Sequence, residues 1–223
     1  MPVGAVLFDM DGTVTEFTFD VAGAREAVAG ILIQSGVPDE MISREIQVYQ
    51  MLNLGSRYLE DNGADPSTVL DRAYDALERV DIRSATDPKL TPGIDELLDF
   101  LRQRSVPTVL VTNSSERAAR SVLTRLNLQN LFTRVVARRK GLRLKPHPDM
   151  ILCGLSAISV KPSPSVYVVG DSWLDMRAAV LAGVTGIGFS RDESSLRSLL
   201  SAGAAIAFIS MKDVQAFLSS AMV

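Results

Sequence analysis

The chain has 223 residues, of which 47% are hydrophobic and 22% are charged, and its formal net charge is −3. This length fits one large domain or a domain with a smaller insertion, and the charge gives no bulk attraction to nucleic acid. The single cysteine, Cys153, excludes internal disulfides and a thiolate-rich metal site. No apolar stretch is long enough to span a bilayer and no secretory signal is visible, so we predict a cytoplasmic protein without nucleic-acid or membrane partners.

The first predicted element is an apolar strand that delivers two acids onto a turn. Residues 6–13 read Val-Leu-Phe-Asp-Met-Asp-Gly-Thr, with Asp9 and Asp11 two positions apart. Side chains alternate along a strand, so these acids leave it on the same side. Two neighbouring carboxylates favour a bound cation, and a divalent metal ion would leave one of them free to act as a nucleophile.

Two other structures are compatible in outline with this segment. A calcium-binding EF-hand that starts at Asp9 needs glycine at its sixth position and glutamate at its twelfth, where the chain has Val14 and Asp20. The EF-hand is therefore excluded. A plain strand and turn remains open at this point, because aspartate and glycine are common turn residues.

A helical insertion follows the first strand. Three helical patterns are predicted, over residues 20–34, 38–59 and 65–80, and no strand pattern interrupts them. We therefore predict that residues 15–89 form a small all-helical domain inserted into a core made of residues 1–14 and 90–223.

The rest of the chain alternates between strands and helices. Strands are predicted at residues 106–111, 133–137, 165–169, 184–189 and 204–209, and helices at 94–104, 116–126, 149–158, 174–181 and 214–221. Nearly continuous apolar strands separated by amphipathic helices indicate a parallel sheet covered on both faces. The predicted fold class is therefore α/β, with a Rossmann-like doubly wound parallel sheet.

Four separated motifs of this chain resemble those of the haloacid dehalogenase superfamily of phosphatases. The matching segments are Asp9-Met10-Asp11-Gly12-Thr13, the strand that ends in Thr112-Asn113-Ser114, Lys145-Pro146-His147-Pro148-Asp149, and Gly170-Asp171-Ser172 with Asp175 beyond it. The resemblance covers nearly all of residues 1–200 and is nearest to the phosphoglycolate-phosphatase-like subgroup, with residues 15–89 as a helical cap.

The resemblance implies a Mg²⁺-dependent phosphatase that acts on a small phosphorylated metabolite. Asp9 would attack phosphorus to form an aspartyl-phosphate, and Asp11 would act as the general acid and base.

The remaining roles are also implied by the resemblance. Thr112, the amide of Asn113 and Lys145 would hold the phosphate. Asp9, the Asp11 carbonyl and Asp171 would bind Mg²⁺. Asp175 would either reach the metal through water or orient Lys145.

Several alternatives stay open on the sequence alone. Thr112 and Ser114 could cap the next helix, and Asp175 could be an ordinary acid in the first turn of its helix. One alternative is a sugar-phosphate mutase of the same superfamily, which keeps both acids of the first segment, Asp9 and Asp11. Another is a receiver-type regulatory module, which uses a similar set of groups around Mg²⁺. The exact substrate and the oligomeric state are not indicated.

A basic run precedes Lys145. Arg138, Arg139, Lys140 and Arg143 lie within six positions. Neighbouring cations repel one another unless an anion or nearby acids offset them. We therefore expect part of this run to favour substrates that carry a carboxylate or a second phosphate.

Overall fold

A computed structural model describes residues 3–16, 19–43 and 45–222 of the chain. The chain divides into two compact units, one formed by Met1–Thr18 with Asp87–Val223 and the other by Phe19–Thr86. We call the first the core unit and the second the helical unit. The sequence placed the two boundaries near residues 15 and 89.

The core unit is built on one parallel sheet of six strands in the order β3-β2-β1-β4-β5-β6. The strands are β1 (Ala5–Phe8), β2 (Thr108–Ser115), β3 (Arg134–Arg138), β4 (Val166–Gly170), β5 (Thr185–Phe189) and β6 (Ile206–Phe208). Strand β1 lies in the middle, where the strand order reverses direction, and all four of its residues are buried. The predicted fold class, a doubly wound parallel α/β sheet, is confirmed.

Helices of the core unit lie between successive strands, and the last of them follows β6. They are α4 (Ile94–Gln103), α5 (Glu116–Arg125), α6 (Asp149–Ala157), α7 (Trp173–Ala182), α8 (Glu193–Ser201) and α9 (Met211–Ser220), numbered after the three α-helices of the helical unit. Five of the six were predicted, and α8 was not. Apolar side chains of β1, β2 and β4 pack against α6 and α7 in one continuous cluster that includes Leu7, Val109, Val168, Ile151 and Ala178.

Strand β2 is longer than the sequence pattern indicated. It continues past Val111 to Ser115, with a shift in its pairing register against β3 between those two residues. Thr112 therefore lies within the strand and does not follow it. The apolar run ends at Val111, so a pattern of hydrophobic residues could not detect the polar end of this strand.

The helical unit contains α1 (Val21–Gln34), a 3₁₀ turn (Asp39–Met41), α2 (Val48–Asp61) and α3 (Ser67–Ser84). The prediction of one continuous helix over residues 38–59 is wrong. Gln47 has an extended backbone and forms a reciprocal capping box with Gln50, which starts a new helix at Val48. Apolar residues of the three α-helices, among them Leu32, Met51 and Leu77, form the core of this unit.

Membrane spans were sought only among the described residues, and none of their helices is long and apolar enough to cross a bilayer.

Two helix-interior glycines of the helical unit predict opposite effects of the same substitution. At Gly30, an added Cβ meets no atom within 4 Å, whereas at Gly55 it would lie 2.4 Å from Cδ2 and 3.2 Å from Cγ of the buried Leu32. Gly30→Ala should raise the free energy of unfolding by about 0.5–1 kcal/mol, because alanine favours helix. Gly55→Ala should lower it by about 1–3 kcal/mol through overpacking. Denaturant titration of both variants checks this, and a change of the same sign in both would contradict the packing described for α1 and α2.

Candidate active site

The predicted site residues lie together at the carboxyl edge of the sheet. Asp9 follows β1 directly and Asp171 follows β4, the strand that pairs with β1 on one side. Thr112 lies near the end of β2, which pairs with β1 on the other side. Because all strands are parallel, their carboxyl ends meet at the crevice where strand order reverses, the usual ligand site of such sheets.

A buried lysine joins two of the acids. The Lys145 Nζ lies 2.5 Å from Asp9 Oδ1 and 2.6 Å from Asp175 Oδ1, and it also donates a hydrogen bond of 2.9 Å to the Val111 carbonyl. The side chains of Lys145, Asp9 and Asp175 are only 4%, 10% and 1% exposed. All three donor positions of the ammonium group are therefore engaged, and the group is fixed in position.

Asp175 holds that lysine in place. Its Oδ1 accepts from Lys145, and its Oδ2 accepts from the backbone N–H of Ser172 at 3.2 Å and from the Ser172 hydroxyl at 2.5 Å. The Ser172 contacts form a capping box at the start of α7. The structure thus places Asp175 in direct contact with Lys145, one of the two roles left open by the sequence. Its part in metal binding stays a prediction.

The acids form a group whose chemistry fits a hard divalent cation. Carboxylate oxygens of Asp9, Asp171 and Asp175 all lie within 4.8 Å of one another. Oxygen ligands of this kind suit Mg²⁺. Gly12 has a φ of +92°, and a Cβ there would lie 2.1 Å from Asp171 Oδ2. The absence of a side chain at Gly12 therefore makes the space that the Asp171 carboxylate occupies.

Burial and mutual repulsion raise the pKa values of two of these acids. Burial raises the pKa of Asp9 to about 7, even though the Lys145 charge acts in the opposite direction. Burial, together with the charges of Asp9 and Asp175, raises the pKa of Asp171 to about 9. Burial alone would lower the pKa of Lys145, but the charges of Asp175 and Asp9 raise it above its ordinary value. The site thus carries more negative charge than its lysine offsets, which favours a bound cation.

The polar end of β2 supplies side chains with separate contacts. The Thr112 Oγ1 accepts from the Ser114 N–H at 3.0 Å, and the Ser114 hydroxyl donates to Asp11 Oδ2 at 2.8 Å. The Ser115 Oγ accepts from the Ala118 N–H at 3.3 Å and caps α5. The N-cap of α5 is therefore Ser115, and neither Thr112 nor Ser114 has that role.

The Asn113 side chain binds the backbone of Lys145. Its Oδ1 accepts from the Lys145 N–H and its Nδ2 donates to the Lys145 carbonyl, both at 3.0 Å. These contacts do not test the predicted binding of phosphate by the amide of Asn113, which stays a prediction. No local pattern predicts this pair of hydrogen bonds, because it joins residues that are 32 positions apart.

Members of the basic run have different neighbours. The Arg138 Nη1 donates to the Asn113 carbonyl at 2.8 Å, whereas the Arg139 Nη2 donates to Cys153 Sγ at 3.3 Å. Arg143 forms two hydrogen bonds with Asp149, and these lower the pKa of that carboxyl group. A nearby acid therefore offsets part of the run, and Arg138 is the member that contacts the site through Asn113.

The protein thus has a doubly wound α/β fold with a group of acids around a buried lysine at the carboxyl edge of its sheet. A family model described as a haloacid dehalogenase-like hydrolase matches residues 3–183. The chain belongs to that family, as its motifs predicted.

Similar proteins carry related activities. A phosphoglycolate phosphatase from Pseudomonas putida is 30% identical over 193 residues, which cover 83% of this chain and 68% of that protein. A second, from Nitrosospira multiformis, is 29% identical over 185 residues and covers 82% and 81% of the two chains. A solved structure from Thermotoga maritima, to which β-phosphoglucomutase activity has been ascribed, matches with a TM-score of 0.65 at 25% identity over 99% of each chain.

The comparisons confirm the prediction of an enzyme of the phosphatase type and replace the receiver-type alternative.

The raised pKa values predict how pH affects the metal-free protein. Asp9 and Asp171 bind protons more tightly when folded than when unfolded, so their contribution to stability is full below pH 4 and is lost as pH rises toward 9. In EDTA, the melting temperature should therefore fall between pH 5.5 and 9. Asp171→Asn should make that fall smaller, because the amide does not ionise. Mg²⁺ should raise the melting temperature more at pH 8.5 than at pH 6, because ligands must be deprotonated to bind metal.

The control for this experiment is Asp192→Asn, which changes an exposed acid at the start of α8. The pKa of Asp192 is lowered by hydrogen bonds to Ser194, so the slope above pH 5.5 should match that of the wild type. An unaltered slope in Asp171→Asn, measured by differential scanning fluorimetry, would contradict the assignment of these pKa shifts.

Proposed function

We propose that this protein is a Mg²⁺-dependent phosphatase that hydrolyses a small phosphomonoester through an aspartyl-phosphate on Asp9. The observation that supports it most is the buried contact between Asp9 and Lys145 at the carboxyl edge of the sheet. A carboxylate fixed beside a permanent positive charge, with Asp11 two residues beyond it, is suited to attack an anionic group.

In the first step, a carboxylate oxygen of Asp9 attacks phosphorus and the bond to the leaving oxygen breaks. Asp11 donates a proton to that oxygen, which leaves as an alcohol. Lys145 lowers the repulsion between Asp9 and the phosphoryl group. Thr112 and the amide of Asn113, before the N-terminus of α5, bind phosphate oxygens.

In the second step, water attacks the phosphorus atom of the aspartyl-phosphate. Asp11, now ionised, accepts the proton from that water, and the bond to Asp9 breaks to release inorganic phosphate. The split into two displacements makes each easier than direct hydrolysis. Asp11 is protonated at the start of the first step and ionised at the start of the second. Its carboxyl group must therefore reach both the leaving oxygen and the oxygen of the attacking water.

The proposed ligands of Mg²⁺ are Asp9, the Asp11 carbonyl and Asp171, with Asp175 acting through Lys145 or through water. Bound Mg²⁺ supplies positive charge that keeps the buried acids ionised and offsets charge on the phosphoryl group. Asp171 lies beside Gly12 within the acid group, which supports this assignment.

The proposed substrate is a small acid phosphate of the phosphoglycolate type, supported by the names of the two bacterial relatives. Sugar and nucleoside phosphates belong to the same proposed class. A cytoplasmic location is part of the proposal, since Cys153 is a free thiol and is compatible with a reducing compartment.

A sugar-phosphate mutase is the second candidate, favoured by the likeness to the Thermotoga maritima structure. A mutase must pass the phosphoryl group from the enzyme to a sugar and exclude water while it does so. The described part of the helical unit contains no histidine, since His147 of the core unit is the only histidine of the chain. Hydrolysis is the simpler reaction for this set of groups.

The role of Asp9 can be tested with a variant of nearly the same shape. Asp9→Asn should reduce phosphate release by more than about 10³-fold, because an amide is not a competent nucleophile here. Labelled phosphate should also fail to appear on the variant protein after acid quench. Circular dichroism and gel filtration serve as the control for folding. A folded Asp9→Asn protein with more than a few per cent of wild-type turnover would overturn the assignment.

Hydrolysis and phosphoryl transfer to sugar are separated by their products. With Mg²⁺, the wild-type protein should release inorganic phosphate from phosphoglycolate with a higher kcat/KM than from glucose 1-phosphate. No glucose 6-phosphate should form from β-glucose 1-phosphate, even when a bisphosphate primer is present. Formation of glucose 6-phosphate faster than release of phosphate would favour the mutase.

A further inference from the structure

The hydroxyl group of Ser114 donates a hydrogen bond to the carboxyl group of Asp11, the proposed general acid and base. We propose that Ser114 is a positioning residue that holds the carboxyl group of Asp11 for proton transfer to the leaving oxygen and from water. This inference rests on the proposed function, since it assigns a partner to its general acid and base.

The contact is direct and lies in a protected place. The Ser114 Oγ donates to Asp11 Oδ2 at 2.8 Å, a normal length for a hydrogen bond to a carboxylate. Ser114 is only 7% exposed, whereas Asp11 is half-buried. The serine is thus the more buried partner, and the acid is the more exposed one.

The backbone of each partner is also fixed. The Ser114 N–H donates to Thr112 Oγ1 at 3.0 Å, where β2 shifts its register against β3. Asp11 and Thr15 form a β-bridge, and the Gly12 N–H donates to the Thr15 carbonyl at 2.8 Å. Because both backbones are held, the hydroxyl contact restrains the Asp11 carboxyl group at Oδ2.

A serine hydroxyl suits an acid that gains and loses a proton in each cycle. A hydroxyl group can donate to an ionised carboxylate and can accept from a protonated one. Ser114 can therefore hold Asp11 in both states by rotation of a single O–H bond. A lysine ammonium group at this position could only donate, so it could not accept the hydrogen bond of a protonated carboxyl group.

The next residue provides a matched control. Ser115 lies on the same strand and is buried to a similar degree, but its Oγ caps α5 by accepting from the Ala118 N–H. Ser114→Ala and Ser115→Ala each remove one hydroxyl group, from neighbouring residues of the same strand. Only the loss at Ser114 should change how the rate depends on the leaving group.

The experiment measures single-turnover release of the leaving group in the presence of Mg²⁺, with phosphoglycolate and with p-nitrophenyl phosphate. An alkoxide needs a proton as it leaves, whereas p-nitrophenolate hardly does. Ser114→Ala should slow release from phosphoglycolate about tenfold, a part of the ~10²–10⁴-fold that general acid catalysis supplies. Release from p-nitrophenyl phosphate should fall by less than about threefold, because proton transfer contributes little there.

Further variants separate positioning from general damage. Ser114→Thr keeps the hydroxyl and should recover most of the lost rate. Ser115→Ala should lower the melting temperature and keep the ratio of the two substrates' rates. In an Asp11→Asn background, Ser114→Ala should cause less than about a twofold further loss, because a residue that acts through Asp11 has nothing more to remove.

Each outcome decides the matter. Equal slowing of both substrates by Ser114→Ala, or an undiminished effect in the Asp11→Asn background, would overturn the positioning role and leave the phosphatase intact. A folded wild-type protein that releases phosphate from neither substrate would overturn the proposed function, and the positioning role with it.

Discussion

The rest of the site depends on the ion pairs that the ammonium group of Lys145 forms. This group lies between the carboxylates of Asp9 and Asp175 and is buried with both of them. A buried charge is costly unless it is paired and hydrogen-bonded, and loss of one partner leaves the other uncompensated. Neighbouring residues support these ion pairs. Asn113 binds the backbone of the lysine, and Ser172 donates to Asp175. The Val111 carbonyl accepts the third hydrogen bond of the ammonium group. Strands β1 and β2 and helix α7 are thereby joined at a single charged centre.

Neutral groups hold the charged ones throughout the site. Serine hydroxyls contact Asp11 and Asp175, and a carboxamide contacts the main chain of Lys145. Such groups fix a side chain without adding to the excess of negative charge, which the raised pKa values of Asp9 and Asp171 already express. The charged groups also hold one another, since Lys145 contacts both Asp9 and Asp175. Neutral groups therefore add restraints to the site without adding charge.

The sequence was informative where local pattern and function coincide. Apolar strands that end in Asp9 and Asp171 predicted both the sheet and the edge at which these acids meet, because parallel strands bring their carboxyl ends together. Contacts between distant segments could not be read in this way. The hydrogen bonds between Asn113 and Lys145 and the contact of Ser114 with Asp11 depend on the register of β2 and on the loop after β3. In the helical unit, the capping box at Gln47 and Gln50 interrupts a pattern that otherwise continues as one helix, and its signal uses glutamine where serine or threonine is usual.

The space beside Gly12 has a consequence for how such a site can change over time. A Cβ at residue 12 would lie 2.1 Å from Asp171 Oδ2, and one at Gly170 would lie 2.4 Å from the Cβ of Asp175. Each acid is therefore accommodated by a glycine on a different segment, and the members of each pair cannot vary independently. Shortening the Asp171 side chain would remove the clash at residue 12 but not the backbone strain there, because a φ of +92° favours glycine. Glycine at residue 12 thus serves both the turn and the acid, and a substitution there has two separate costs, of which a change at Asp171 can relieve only one.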